Sequence, residues 1–168
     1  MAKKQGMIGR LSALTVFTAH MAACSFTVPT MDLREIERTR SPNDALACPA
    51  GLCRSQPDFD SPVFSVDKKN LLERAKTVIT EEPRTELVGE DPALDQLVFV
   101  QRSAIFGFPD TVWIQGTNVG ARTSIIVYSR SNYGYWDMGV NRSRVRAWLE
   151  KLKRSIKEEQ ALTPGPPS

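Results

Sequence analysis

Residues 128–145 read YSRSNYGYWDMGVNRSRV, and they join the end of a β-branched run to the start of an amphipathic helix. A plain strand-to-helix connection needs a turn and a cap. It does not need Tyr133, Tyr135 and Trp136 together with Arg130, Asp137, Arg142 and Arg144. Gly134 and Gly139 permit backbone angles or close approaches closed to other residues. Asn141 is a good N-cap. Behind it, Val145, Trp148, Leu149, Leu152 and Ile156 recur at helical spacing as one apolar stripe. Ahead of it, Arg122 to Ser129 is a strand with a buried centre at Ile125, Ile126 and Val127.

Further upstream the same signals recur. Gly116 to Gly120 reads as a hairpin-like connection, Thr111 to Gln115 as extended, and Phe106 to Asp110 as a break. Leu97 to Ile105 is rich in β-branched and aromatic residues and predicts a strand. Gly89 to Pro92 is a turn cluster, and Thr85 to Val88 is a short strand. Before these, Asp67 caps a helix whose apolar face is Leu71, Leu72, Ala75, Val78 and Ile79, and Pro83 stops it. Short connections between successive strands favour antiparallel pairing. The expected fold is therefore α+β: a two-layer sandwich with a mainly antiparallel sheet of about four strands and two amphipathic helices.

The start of the chain reads as an export signal. Lys3 and Lys4 form a positive n-region, Leu11 to Ala19 a short apolar core, and Ala22 and Ala23 precede Cys24. Met-Ala-Ala-Cys has the form of a lipoprotein processing site, with Cys24 as the lipidated residue. Ser25 behind it, as in other bacterial lipoproteins, favours the outer membrane. The expected organisation is a lipoprotein signal over 1–23, a tether over 24–47, a domain over 48–160 and a disordered tail over 161–168. Cys48 and Cys53, the remaining cysteines, then form a structural disulfide in an oxidising compartment.

Charge and histidine content exclude several functions. Lys3, Lys4 and Arg10 precede Cys24, which leaves 22 − 3 = 19 basic against 19 acidic residues, so net charge gives no reason to expect nucleic acid. The one histidine, His20, lies in the signal. A mature chain without histidine has no Ser-His-Asp triad, no Cys-His dyad and no histidine-containing zinc site. No metal or other cofactor is expected.

The residues of the opening stretch admit three readings. Arg130, Asp137 and Arg142 suit an internal network that fixes the loop to the helix start. With Asp110, Asn141 and Arg144 they suit a ligand site, since arginines in the first turns of a helix oppose its dipole and call for a compensating carboxylate or an external anion. A hydrolase or transferase would use Ser129 or Ser131 as nucleophile, Asp137 as polarising carboxylate and Arg130 or Arg142 as oxyanion stabiliser. Without histidine such a serine needs another base, and no lysine occurs between Lys76 and Lys151.

One family shares this pattern. Cys48-Pro49 with Cys53, then Ser103, Phe106, Phe108 and Asp110, then Ser129-x-Ser131-x-x-Gly134-x-x-Asp137-x-Gly139-x-Asn141-Arg142-x-Arg144-Val145 resembles the domain of unknown function 1499 family. A common form of that pattern carries arginines where Tyr128 and Asn132 stand, and Asp where Pro109 stands. The resemblance implies an α+β domain in proteins often found at or near the bacterial envelope, and it supplies no catalytic residues. The expectation is a non-enzymatic envelope lipoprotein, lipid-anchored on the periplasmic face of the outer membrane. It would bind an anionic small molecule, a lipid head group or an envelope protein, with Tyr133, Tyr135 and Trp136 as contact anchors.

Overall fold

The computed structural model describes residues 28–38 and 41–162. The export signal, Cys24 and residues 163–168 of the tail lie outside the described residues. The elements run β1 (Asp44–Cys48), β2 (Phe59–Asp60), β3 (Val63–Phe64), α1 (Lys68–Thr80), β4 (Thr85–Asp91), β5 (Gln96–Arg102), β6 (Pro109–Val119), β7 (Arg122–Ser131) and α2 (Val140–Leu162).

The expected sheet of about four strands is overturned. The sheet has seven, in the order β2-β1-β7-β6-β5-β4, with β3 also bonded to β7. The four strands visible in the sequence are β4 to β7, and they form an antiparallel meander. The additional strands lie N-terminal to α1. β1 pairs antiparallel with β7, while β2 pairs parallel with β1, which makes the sheet mixed. β2 and β3 have two residues each, too few to show a period of two. β1 is buried along its whole length, so it shows no alternation either.

Burial on both faces changes the layering as well. Ala45, Ala47, Leu97, Phe99, Val112, Ile114, Ile125 and Val127 face α1 and α2 and form the main core. Their neighbours Leu46, Cys48, Val98, Trp113, Ile126 and Tyr128 face the other way and form a second core. Leu33 and Ile36 from the N-terminal segment cover that second face, with Leu52 and Cys53 packed alongside. The expected tether over 24–47 therefore fails in its described part: Leu33 is fully buried, and β1 lies inside the sheet. Backbone polar groups keep the covering segment in place. The Gln115 side chain accepts from Leu33 N–H at 2.7 Å, and Trp113 donates its indole N–H to the Pro29 carbonyl at 3.0 Å. Each Leu or Ile buried this way contributes about 1.5–3 kcal/mol.

The helices follow their apolar stripes. Asp67 caps α1 by accepting from Asn70 N–H at 2.9 Å. Leu71, Ala75 and Ile79 of α1 and Val145, Trp148, Leu149, Leu152 and Ile156 of α2 point into the main core. Trp148 meets Phe99 edge to face at 6.4 Å. Gly116 does not begin a hairpin connection, because β6 continues to Val119 and the chain turns at Gly120. Its role is close approach: a Cβ there would stand 2.9 Å from Lys68 Cγ and 3.0 Å from Leu72 Cδ1, so glycine lets α1 lie down on β6. No helix among the described residues is long and apolar enough to cross a membrane.

Candidate functional site

Most of the residues picked out in the sequence gather at one end of the sheet. There β5 turns into β6 through residues 103–108, and β7 passes to α2 through residues 132–139. Gln101, Asp110 and Ser131 are cross-strand neighbours at this end. With Ser129 they form a polar row on the face that carries α2, and Asn141 and Arg144 come down onto this row from the first turns of α2.

Arg144 is the hub. Its guanidinium donates to Asp110 Oδ2 at 2.6 Å, Gln101 Oε1 at 2.5 Å, Asn141 Oδ1 at 2.6 Å and Ser129 Oγ at 2.9 Å. The side chains of Arg144 and Asp110 are only 4% and 9% exposed. A buried arginine needs such a full set of partners, since desolvating the charge is costly. Asn141 is fully buried. Its amide nitrogen lies within hydrogen-bond distance of the Asn43 carbonyl, Ser131 Oγ and Asp137 Oδ2.

Asp137 does the capping that the sequence suggested for Asn141. Its carboxylate accepts from Gly139 N–H at 2.9 Å and from Asn141 N–H at 2.8 Å. Asn141 lies one residue inside the helix. Gly139, at φ +78°, makes the turn between the cap and the helix. The arginines at this helix start are thus compensated from within: Asp137 caps the end, Asp110 pairs with Arg144, and Asp58 pairs with Arg142 at 2.6 Å.

Two of the expected site residues stand apart from this network. Arg142 is half-exposed and lies over the Phe59 ring at 5.1 Å. Asp58, which it holds, also pairs with Arg38 at 2.8 Å. Arg38, Asp58 and Arg142 line an open cleft of about 410 Å³ together with Asp44, Trp136 and Asp137. Three carboxylates against two arginines give this cleft little attraction for an anion. Arg130 lies on the opposite face of the sheet, across from Asp44, because strand alternation turns it away from Ser129 and Ser131. It has no ion-pair partner among the described residues.

Beneath Arg130, the Tyr128 hydroxyl donates to Asp44 Oδ2 at 2.9 Å, and Arg38 holds Asp44 Oδ1 at 2.6 Å. Burial, and then the Asp44 charge, push the Tyr128 hydroxyl well above the usual phenol range.

This geometry does not make Ser129 a nucleophile. It is fully buried, donates to Asn141 Oδ1 at 2.5 Å and accepts from Arg144. Ser131 Oγ is likewise engaged by Asn141. Among the described residues no group of three or more His, Cys, Asp or Glu side chains is placed to hold a metal.

What the network presents outward is apolar. Ile105 is 85% exposed, Met138 78% and Trp136 66%, and Phe106, Phe108, Tyr133, Tyr135 and Val140 are exposed beside them. Phe106 stacks on Phe108 at 5.6 Å, and Phe108 meets Tyr133 at 6.1 Å, so the two loops share one surface. The sequence pointed to Tyr133, Tyr135 and Trp136 but assigned Ile105 to a strand and Phe106 and Phe108 to a break. The signal available there was a run of large apolar residues, Ile105-Phe106-Gly107-Phe108, with no polar alternation.

On the far side of the sheet Cys48 and Cys53 are joined in a disulfide, with Cα atoms 6.3 Å apart. No curated protein matches the chain. A family model matches residues 33–152, from the buried Leu33 of the covering segment to the buried Leu152 of α2, so Leu33 and Ile36 of that segment, both loops and the whole polar network fall inside the match. On that match the chain belongs to the family described as Protein of unknown function (DUF1499).

Proposed function

We propose that this protein is a non-catalytic module of the bacterial envelope, exported by residues 1–23 and anchored through a lipid on Cys24. Its loop end would bind a ligand or partner rather than transform one. One observation carries the binding reading. The polar groups that chemistry would require are spent in a buried network, while a contiguous apolar surface is left exposed above it. Isolated exposed apolar residues are ordinary, but a contiguous set in two adjoining loops marks a contact site. The Cys48–Cys53 bridge supports the exported location, because such bonds persist in oxidising compartments. The placement on the periplasmic face of the outer membrane rests on Ser25 after Cys24.

The test is the intact mass of the protein recovered from membranes of an expressing bacterium, measured with and without reduction. Cleavage before Cys24, added acyl chains and one disulfide are the expected result. A full-length, unacylated chain with free thiols would overturn the envelope assignment.

A further inference from the structure

The exposed loop end has a composition that fits one kind of occupant better than others. Loop 103–108 carries no charged residue, and loop 132–139 carries only Asp137, which is turned inward as the cap of α2. Exposed arginines stand behind these loops at the strand ends, Arg102 closing β5 and Arg130 near the end of β7. The chain thus passes from cationic strand ends to an apolar tip in both connections. The base of the first loop is closed by its own hydrogen bonds. Ser103 N–H donates to the Phe108 carbonyl, Gly107 N–H to the Ser103 carbonyl, and Phe108 N–H to Ser103 Oγ. Such bonds lower the cost of bringing the turn to the boundary of an apolar phase.

We propose that the two loops form a wedge that docks on an anionic phospholipid bilayer. Ile105, Phe106, Phe108 and Met138 enter the acyl boundary. Tyr133 and Trp136 lie at the interface, where a ring with one polar atom is favoured. Arg102 and Arg130 meet lipid phosphates. The proposal rests on the loop end being a binding surface and commits that surface to lipid. A protein partner or a second copy of the chain would use the same apolar groups, but neither calls for two exposed loops free of unengaged carboxylates with arginines behind them.

Tryptophan fluorescence isolates this surface. Trp113 and Trp148 are 6% and 3% exposed, whereas Trp136 is 66% exposed. The experiment uses the full chain with vesicles of phosphatidylcholine alone, or with phosphatidylglycerol added, each made with and without brominated acyl chains. The readout is the position of Trp136, so membrane attachment through the N-terminal segment does not mimic it. The expected result is a blue-shifted emission and quenching by bromolipid on the anionic vesicles. Both should fall at least tenfold in apparent affinity in an Ile105→Asp, Phe106→Asp double variant, and both should be lost in Trp136→Phe.

Unquenched, unshifted emission on anionic vesicles, in protein whose circular dichroism is native, overturns the wedge. If emission instead shifts with protein concentration in the absence of lipid, the surface binds protein. In that case the bilayer proposal falls while the binding reading stands. If neither lipid nor protein concentration moves Trp136, both fall. Should the double variant fail to fold, the contrast between neutral and anionic vesicles on the unaltered chain decides the matter.

Discussion

The two loops at the end of the sheet have an inside and an outside, and the two differ in the opposite sense to their neighbours elsewhere. Inside are Arg144, Asp110, Asn141, Ser129 and Ser131, all buried. Outside are Ile105, Phe106, Tyr135, Trp136 and Met138, all exposed. Polar residues have been withdrawn from water and apolar ones presented to it. The contrast separates two roles. The buried polar groups fix the loops to the sheet and the helix start, and a rigid platform lets an exposed apolar surface persist without collapsing onto the core. The polar cluster that attracts attention in the sequence is therefore the support, and the aromatic residues above it are the part free to make contact.

The largest effect should come from breaking the support. Arg144→Ala leaves Asp110 buried without its cation, and loss of one partner of such a pair costs about 3–5 kcal/mol. Urea denaturation of the variant should show this as a large fall in midpoint. Replacing both partners with apolar residues, Arg144→Met with Asp110→Leu, should cost clearly less than the two single changes summed. An unchanged midpoint in Arg144→Ala would mean that the network does not hold the loops.

Breaking the second-face cover should come next. Converting Cys48 and Cys53 to alanine removes the cross-link of a short loop, for which chain entropy gives about 2 kcal/mol. The same denaturation series measures it. Smaller again is the cap: Asp137→Ala should cost about 1 kcal/mol. Asp137→Asn should recover part of that loss. A neutral result for Asp137→Ala would return the capping role to Asn141.

Alkaline pH sharpens the comparison from the other face. The Tyr128 hydroxyl is raised above its unfolded value of 10, so the folded state holds that proton more tightly. Its contribution is complete below pH 10 and is lost as pH rises through 10 toward the folded value. Thermal midpoints should fall over that range, with a shallower fall in Tyr128→Phe. The smallest stability effect belongs to the exposed side: Ile105→Asp should stay within about 0.5 kcal/mol of the unaltered chain, as surface changes do. A large loss there would show that the apolar surface is part of the core.

Legibility in the sequence followed length and composition. Both helices display a period of 3.6, and β4 to β7 lie in β-branched and aromatic runs bounded by turn residues. β1 to β3 are not legible, because two of them are two residues long and the third, Asp44–Cys48, has no β-branched or aromatic residue. The run Ile125-Ile126-Val127-Tyr128 shows no polar alternation. Four consecutive apolar residues signal a strand covered on both faces, which calls for something to cover the second one. That cover is residues 28–36, part of the segment read as a tether over 24–47. Strand alternation likewise separates Arg130 from Ser129 and Ser131, so its placement away from the network follows from the pattern of β7 alone.

By itself the sequence determined the helices with their stripes and the start cap of α1, the four long strands and the presence of an unusual loop, because local propensity and side-chain period are written in adjacent residues. Only the tertiary structure decided which carboxylate pairs with which arginine, that β1 enters the sheet beside β7, and that Leu33 covers its second face. Those outcomes depend on groups far apart in the chain: Asn141 meets Asn43 across 98 positions, and Arg142 meets Asp58 across 84. A buried charge takes whichever partner the packing brings within reach, and no local pattern records that distance.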